Sequence, residues 1–141
     1  MRFMLMIKAT RSSEAGILPT DDLVATMMAF NEKMVNAGVM MAGDGLQPSA
    51  KGARVCIPAH GERTVTDGPF TETKELIAGF WMLNVKSRQE AIDWALQAPH
   101  PHPGEEAQIE IRQVYDVEDF PEVSAATRQK SNEIFSRIER K

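Results

Sequence analysis

Residues 76–85 read Leu-Ile-Ala-Gly-Phe-Trp-Met-Leu-Asn-Val, an almost uninterrupted apolar run. A short run that is apolar on both of its alternating faces predicts a strand buried at the centre of a sheet. Residues 2–8 repeat this pattern, with Phe3 and Leu5 on one face and two methionines on the other. The chain therefore predicts two central strands, around which the other elements must be arranged.

Two helices are predicted, one before and one after this run. Thr20 or Asp21 can cap the first, which extends to about Ala37, because a side-chain oxygen accepts hydrogen bonds from the free N–H groups at a helix start. The second begins at a Ser-Arg-Gln-Glu capping box at residues 87–90 and stops before Pro99, because proline cannot continue a helix. Each helix lies between two predicted strands, so both can pack on one sheet.

The order of the elements indicates the fold. Further strands are expected at residues 39–46 and 107–114, a hairpin of two short strands at residues 54–66, and a loop at residues 9–19. The chain then reads β-α-β, an inserted β-hairpin, and β-α-β again. Two helices over one face of an antiparallel sheet indicate an α+β, ferredoxin-like split βαβ fold.

We expect one ferredoxin-like domain at residues 1–115 and a C-terminal extension at residues 116–141, since a chain of 141 residues suits a single core. In the extension, Ile134, Phe135 and Ile138 form a thin apolar stripe on a predicted helix. A stripe this narrow cannot stabilise a helix alone. The helix is therefore expected to dock on the domain, to dock on a partner subunit, or to fray.

One face of the predicted sheet lacks cover. Both central strands are apolar on both sides, whereas the two helices cover only one side. A large apolar face on a soluble protein marks an interaction surface. We therefore expect a homodimer in which two sheets pack face to face around a shared cavity, which makes a dimeric α/β barrel.

Composition argues against several kinds of partner. The net charge is −4, from 16 basic and 20 acidic residues, whereas nucleic acids and anionic membranes require a basic surface. The apolar opening of the chain is too short to span a bilayer. Cys56 is the single cysteine, so no intrachain disulfide can form, and its strand-like flanks predict a buried or half-buried thiol. We expect a cytoplasmic protein without nucleic-acid or membrane partners.

Residues 66–75 read Thr-Asp-Gly-Pro-Phe-Thr-Glu-Thr-Lys-Glu and concentrate ionisable side chains around a Gly-Pro corner. Pro69 fixes its own backbone and restricts Gly68, so Asp67 is expected to project from a rigid turn. A rigid carboxylate suits a general base or a binding acceptor. Alternatively, Asp67 caps its own turn and Lys74 binds a carboxylate at the rim, which would make the segment a charged clasp without chemistry.

The string Asp-Gly-Pro-Phe at residues 67–70, with Glu, Lys and Glu after it, resembles the signature of the DGPF-domain proteins within the YCII-related family. Residues 43–46 (Gly-Asp-Gly-Leu) and 109–112 (Ile-Glu-Ile-Arg) resemble the same pattern, and the likeness covers roughly residues 1–115. The resemblance implies a dimeric α+β barrel of ferredoxin-like protomers with a small-molecule site. Members of this kind often accompany alternative sigma factors, which implies a regulatory or stress-linked role.

One feature departs from that family. Simpler YCII-like proteins are thought to use a histidine near the start of the first helix, paired with an aspartate. Here residues 19–23 read Pro-Thr-Asp-Asp-Leu, so no histidine is available at this place to form such a pair. His100 and His102 alternate with prolines, and the threefold repeat of a polyproline helix turns them apart. We therefore expect structural or exposed histidines rather than metal ligands.

The candidate catalytic residues are Asp67, as base or orienting acceptor, and Lys74, which would stabilise developing negative charge or bind an anionic group. Asp44 lies between two glycines and would form a carboxylate pair with Asp67 if their loops met in the barrel. No metal and no cofactor are expected. The candidate substrate-binding residues are Asp44, Gly68, Pro69, Phe70, Glu72, Glu75 and Arg112.

Three functions stay open on the sequence alone. The first is an enzyme with a small-molecule substrate and proton-transfer chemistry of isomerase or lyase type at the dimer cavity. The second is a non-catalytic ligand-sensing or regulatory dimer, linked by the resemblance to an alternative sigma factor. The third is a structural accessory protein. An enclosed cavity with at least one perturbed titration would favour the first or the second function, whereas a solvated clasp of Asp67 and Lys74 would favour the third.

Overall fold

The structure is a computed structural model that describes residues 1–139, and these residues form six strands and four α-helices. The strands are β1 (Arg2–Lys8), β2 (Met40–Gly45), β3 (Ala53–Cys56), β4 (Thr64–Asp67), β5 (Ile77–Asn84) and β6 (Ile109–Gln113). The helices are α1 (Arg11–Glu14), α2 (Asp21–Asn36), α3 (Arg88–Ala95) and α4 (Ala125–Glu139). Short 3₁₀ helices lie at Ser49–Lys51, Thr73–Glu75 and Val117–Asp119.

The main sheet has four strands in the order β2-β5-β1-β6, and each neighbouring pair is antiparallel. This is the strand order of a split βαβ, ferredoxin-like domain, so the predicted α+β fold is confirmed. The two strands predicted from their apolar runs, β1 and β5, lie at the centre. Leu5 of β1 pairs with Trp81 of β5 on one side and with Ile111 of β6 on the other.

The core lies between α2, α3 and one face of this sheet. Phe30 of α2 packs edge-on against Trp81, with 5.4 Å between the ring centroids. The indole N–H of Trp81 donates to the side-chain oxygen of Asn31 at 2.9 Å, so this buried donor is satisfied. The core residues are Phe3, Leu5, Phe30, Met34, Val39, Trp81, Leu83, Val85 and Ala91.

The predicted helix caps are present. Thr20 accepts a hydrogen bond from the N–H of Leu23 at the start of α2. Ser87 accepts one from the N–H of Glu90 at the start of α3, and the Glu90 carboxylate accepts one from the N–H of Lys86. These side chains satisfy donors that the helices leave free, so each helix begins where the sequence predicts.

The opposite face of the main sheet, here called the open face, carries no helix in the described residues. Register places Met6 beside Phe80 and Met4 beside Met82, and all four side chains are half-buried. Asp44 lies beside Phe80 at the β2 edge, and β6 contributes Glu110 and Arg112 at the other edge. Two central strands that are apolar on both sides thus leave an apolar band uncovered within the single chain, as the sequence predicts.

The inserted hairpin forms a separate two-stranded sheet, with Ala53 opposite Asp67 and Cys56 opposite Thr64. Every residue of both strands is exposed. The expectation of a buried or half-buried thiol is therefore wrong, since Cys56 is exposed. Its apolar neighbours indicate a strand correctly, but a two-stranded ribbon that stands apart from the main sheet has no interior in which to bury a side chain.

One local expectation is also wrong. The segment expected to be a loop at residues 9–19 contains the four-residue helix α1, which Thr10 begins with a capping box to Ser13. The residues around Lys74 form a second short element, a 3₁₀ turn at Thr73–Glu75. Both are single turns fixed by local hydrogen bonds, which hydrophobic periodicity does not detect.

The C-terminal extension contains the helix that its apolar stripe predicts. The guanidinium of Arg128 donates to the backbone carbonyls of Val117, Phe120 and Val123, which anchors the start of α4 to the preceding turn. Residues 140 and 141 of the predicted extension lie outside the described residues. Within residues 1–139, no helix is both long enough and apolar enough to cross a membrane. The stripe residues Ile134, Phe135 and Ile138 are 44%, 55% and 61% exposed.

Candidate functional site

The Gly-Pro corner of the signature segment is held against the chain before β3. The backbone N–H of Gly68 donates to the Gly52 carbonyl at 3.0 Å, and the N–H of Phe70 donates to the Ser49 hydroxyl at 3.0 Å. The Ser49 hydroxyl in turn donates to the carboxylate of Glu14 in α1. The corner is therefore fixed in place through contacts with two other segments.

The packing around Gly68 leaves no room for a side chain. A side-chain carbon at this position would lie 1.8 Å from the Ser49 carbonyl oxygen, far inside van der Waals contact. The Gly68–Pro69 peptide bond that follows is cis. The half-buried ring of Phe70 lies under the guanidinium of Arg54, 3.8 Å from the ring centroid, which is a cation–π contact. Phe70 thus anchors the corner to the hairpin and not to the main core.

Asp67 and Lys74, the predicted catalytic pair, are both solvated in the single chain. Asp67 ends β4 and Lys74 lies in the Thr73–Glu75 turn, and both side chains are exposed. Within residues 1–139 neither forms a side-chain hydrogen bond or an ion pair, and the same holds for Glu72 and Glu75. The turn prevents the alternation that would place Glu72 and Lys74 on one face of a strand.

Asp44 and Arg112, two predicted binding residues, lie on the open face but at opposite edges. Three strand spacings of about 4.8 Å separate β2 from β6, so the two side chains start at least about 14 Å apart. Arg112 forms an ion pair with Glu110 at 3.5 Å on its own strand. Arg112 and Asp44 therefore do not belong to one site within a single chain.

A cavity of about 750 Å³, here called the large cavity, lies at the β2 edge of the main sheet. Its walls are α2, the segment between α1 and α2, the end of β2 and the middle of β5. It reaches both sheet faces, because its lining includes Trp81 from the covered face and Phe80 from the open face. The apolar lining includes Ile17, Leu18, Leu23, Val24, Met27, Met28, Leu46, Phe80 and Trp81.

The polar side chains that line the large cavity are Lys8, Thr10, Ser13, Asn31, Asp44, Gln47, Lys51 and His102. Asp44 is the one carboxylate and His102 the one histidine among its described lining residues. Asn31 also lines it, with its oxygen already bonded to Trp81. The sequence predicts Asp44 as a binding residue but sets His102 aside, because a proline-histidine repeat gives no signal that one of its histidines borders a cavity.

A second cavity of about 410 Å³, here called the small cavity, adjoins the first. Lys8 and Thr10 line both cavities. The small cavity also contains Arg11, Lys74 and the carboxylates Glu105 and Glu106. Lys74 is thus the predicted catalytic residue that borders a cavity, whereas Asp67 lines neither cavity.

Among the residues that line the two cavities, Glu105 is the one whose pKa departs from its ordinary value. The Ser12 hydroxyl donates to one of its oxygens at 2.9 Å, and this hydrogen bond is the main cause that lowers the pKa of Glu105 below its ordinary value near 4.5. The other oxygen is buried, and hydrogen bonds from the Thr10 side chain and the Ser12 backbone also lower this pKa. A carboxylate held by α1 and its cap residue therefore borders the small cavity.

No metal centre is present in the part of the chain that the structure describes. Residues 1–139 contain no group of three or more histidine, cysteine, aspartate or glutamate side chains placed to hold an ion. His100 and His102 are close, but the His100 ring nitrogen accepts a hydrogen bond from the backbone N–H of His102 at 3.0 Å. This contact is local and stabilises the turn.

Comparison with known proteins gives three findings. The family model of the YCII-related domain matches residues 1–118. An uncharacterized protein from Rhizobium meliloti (strain 1021) is 36% identical over 77 residues, which are 55% of this chain and 61% of that protein. The match therefore spans only part of that relative's length.

The third finding is a solved structure, 5-chloro-2-hydroxyhydroquinone dehydrochlorinase from Burkholderia phenoliruptrix AC1100, in complex with 2,5-dihydroxybenzoquinone. It is similar over 84% of this chain and 98% of that chain, with a TM-score of 0.47 and 17% sequence identity.

Proposed function

Since the chain belongs to the YCII-related family, we propose that it binds a small, mostly apolar molecule in the large cavity and carries out proton-transfer chemistry there, of isomerase or lyase type. The single observation that supports this proposal is the cavity itself. Its volume of about 750 Å³ and its mainly apolar lining with a few polar groups are typical of small-molecule sites in proteins.

Asp44 and His102 are the groups proposed to move the proton. Both line the large cavity, and they differ in chemistry: a carboxylate accepts a proton, and an imidazole can donate or accept one near neutral pH. Asp44 is held in β2 opposite Phe80, so its backbone position is fixed by the sheet. A bound molecule lying on Phe80 would place its reacting atoms beside this carboxylate.

The proposed active form is a homodimer that pairs the open faces of two chains. Met4, Met6, Phe80 and Met82 form an apolar band over which no helix lies within residues 1–139. The large cavity reaches this face at Phe80 and Asp44, so a second copy would close that side of the cavity and exclude water from it. In this arrangement the ligand site and the subunit interface are continuous.

A ligand-sensing dimer without catalysis is the second candidate. Asp44 is exposed in the single chain, whereas a catalytic carboxylate usually has a desolvated or specifically paired environment. If the dimer leaves Asp44 solvated, the cavity is better suited to binding a molecule than to abstracting a proton. The two candidates share the ligand site and differ only in whether the ligand is converted.

The experiment is a thermal-shift screen of small aromatic and aliphatic metabolites, followed by assays of each stabilising compound for conversion. Asp44→Asn and His102→Gln should abolish conversion of that compound. Asp93→Asn and His60→Gln serve as matched controls, because both residues are exposed and lie outside both cavities. Asp67→Asn tests the signature segment separately.

The outcomes separate the candidates. Conversion that is lost in Asp44→Asn but kept in Asp67→Asn supports the proposed chemistry. A compound that binds wild-type protein and is never converted supports the sensor. Conversion that persists in Asp44→Asn would exclude this residue as the base.

A further inference from the structure

We infer that the molecule bound in the large cavity is a carboxylic acid, and that the small cavity receives its carboxylate group. This inference rests on the proposed function, since it names the chemical class of the same ligand. The apolar body of the molecule would lie in the large cavity, and its charged end would pass Lys8 and Thr10 into the small cavity. The two cavities would then form one amphipathic site.

Adjacency of the two cavities is the first step. Lys8 and Thr10 line both, at the place where β1 ends and its pairing with β5 shifts register between Ile7 and Lys8. The segment 101–106 borders both as well, because Pro101 and His102 line the large cavity while Glu105 and Glu106 line the small one. A molecule that passes Lys8 and Thr10 would therefore extend from one cavity into the other.

The second step concerns the net charge of the side chains that line the small cavity. Lys8, Arg11 and Lys74 line the small cavity, and none of the three forms an ion pair within residues 1–139. Two carboxylates, Glu105 and Glu106, line it as well, so one positive charge is in excess. A monoanion compensates that charge, which favours a carboxylate over a phosphate dianion. Arginine and lysine both form strong charge-assisted hydrogen bonds to carboxylates.

The carboxylates of the small cavity add a second requirement. Glu105 and Glu106 both line it, and the Ser12 hydroxyl holds Glu105 in place. A carboxylate can only accept hydrogen bonds, so a hydroxyl group next to the carboxylate of the ligand would supply a donor to one of them. Hydroxy acids with an apolar side group fit this description, because they carry a donor and keep a single negative charge.

The test compares matched probes that differ only in charge. Isothermal titration of the full-length protein would use 3-phenyllactate and phenylacetate as carboxylates, and 2-phenylethanol as the neutral counterpart. We expect each carboxylate to bind about tenfold tighter than the alcohol or better, and phenyllactate, which carries the hydroxyl, to bind tightest.

Variants then test which side chains bind the carboxylate of the probes. Lys74→Gln and Arg11→Gln should each weaken the carboxylates about tenfold and leave 2-phenylethanol unchanged. Both side chains are exposed, so neither change threatens the fold. Lys86→Gln is the matched control, because Lys86 is also exposed and lies outside both cavities.

Each outcome is decisive. If the alcohol binds as tightly as the acids, the inferred ligand class is wrong while the proposed function stands. If the acids bind tighter but Lys74→Gln and Arg11→Gln match Lys86→Gln, the carboxylate does not enter the small cavity and the inference is overturned. If none of the probes binds and no metabolite stabilises the protein, the proposed function fails and the inference fails with it.

Discussion

The Ser49 hydroxyl accepts a hydrogen bond from the backbone N–H of Phe70 at 3.0 Å while it donates to the carboxylate of Glu14. The other Glu14 oxygen accepts from the backbone N–H of Ser49 at 3.1 Å. These contacts join the signature segment to α1 through one serine between them. The position of the Gly-Pro corner thus depends on residues that lie far from it in sequence.

Ser49→Ala should destabilise the protein by about 1–3 kcal/mol, because it leaves the N–H of Phe70 and the Glu14 carboxylate without their shared partner. The free energy of unfolding in urea measures the effect. Ser136→Ala is the control, since Ser136 bonds only within the exposed helix α4 and its loss should change stability by at most about 0.5 kcal/mol. Equal stability of the two variants would show that Ser49 does not anchor the corner.

Gly68→Ala should destabilise the protein by about 3 kcal/mol or more, because the added carbon would collide with the backbone of Ser49 and the corner would have to move. Gly45→Ala is the matched control. An added carbon there meets nothing within 4 Å, so this variant should retain wild-type stability or gain a few tenths of a kcal/mol. Thermal unfolding of both variants makes the comparison, and a tolerant Gly68→Ala would contradict the packing described here.

Met6→Glu should convert the proposed dimer into monomers, because it places a charge at the middle of the open face. Light scattering coupled to gel filtration measures the mass of each form. Val35→Glu is the control, since Val35 is 58% exposed on α2, which lies on the other side of the sheet. Wild-type protein that is monomeric at micromolar concentrations would refute the pairing of open faces.

Glu105→Gln should reduce stability at neutral pH and have little effect in acid. The pKa of the folded Glu105 carboxyl is lowered, chiefly by Ser12, so its stabilising contribution is present above the ordinary value near 4.5 and is lost as the pH falls through the folded pKa. Unfolding free energies from neutral pH down to acid, for wild type and variant, should therefore converge. Glu118→Gln, at an exposed position, should show no such convergence.

The fold follows from features that are local in sequence. The apolar runs of β1 and β5 predict the central strands, and the caps at Thr20 and Ser87 predict where the helices begin. The strand order then follows from the βαβ arrangement, because few topologies connect these elements. Short turns such as α1 escape prediction, since one helical turn has no periodicity to detect.

The candidate site is harder to predict from the sequence than the fold, because it depends on which distant segments meet. The sequence predicts Asp44 and Lys74 as site residues, and they line the large and the small cavity respectively. The sequence sets His102 aside as structural or exposed and does not single out Glu105, because the proline-histidine repeat gives no sign that the fold places this segment beside two cavities. Exposure of Asp67 likewise depends on the hairpin's separation from the main sheet, which strand propensity does not encode.

The open face also carries a chemical vulnerability. Three of its apolar side chains, Met4, Met6 and Met82, are thioethers, and oxidation converts such a group into a polar sulfoxide. Oxidation by peroxide would therefore make the open face polar without altering the buried core behind it. Enzymatic reduction of the sulfoxides would restore the surface, so the proposed pairing of two open faces would depend on the oxidative state of the surroundings.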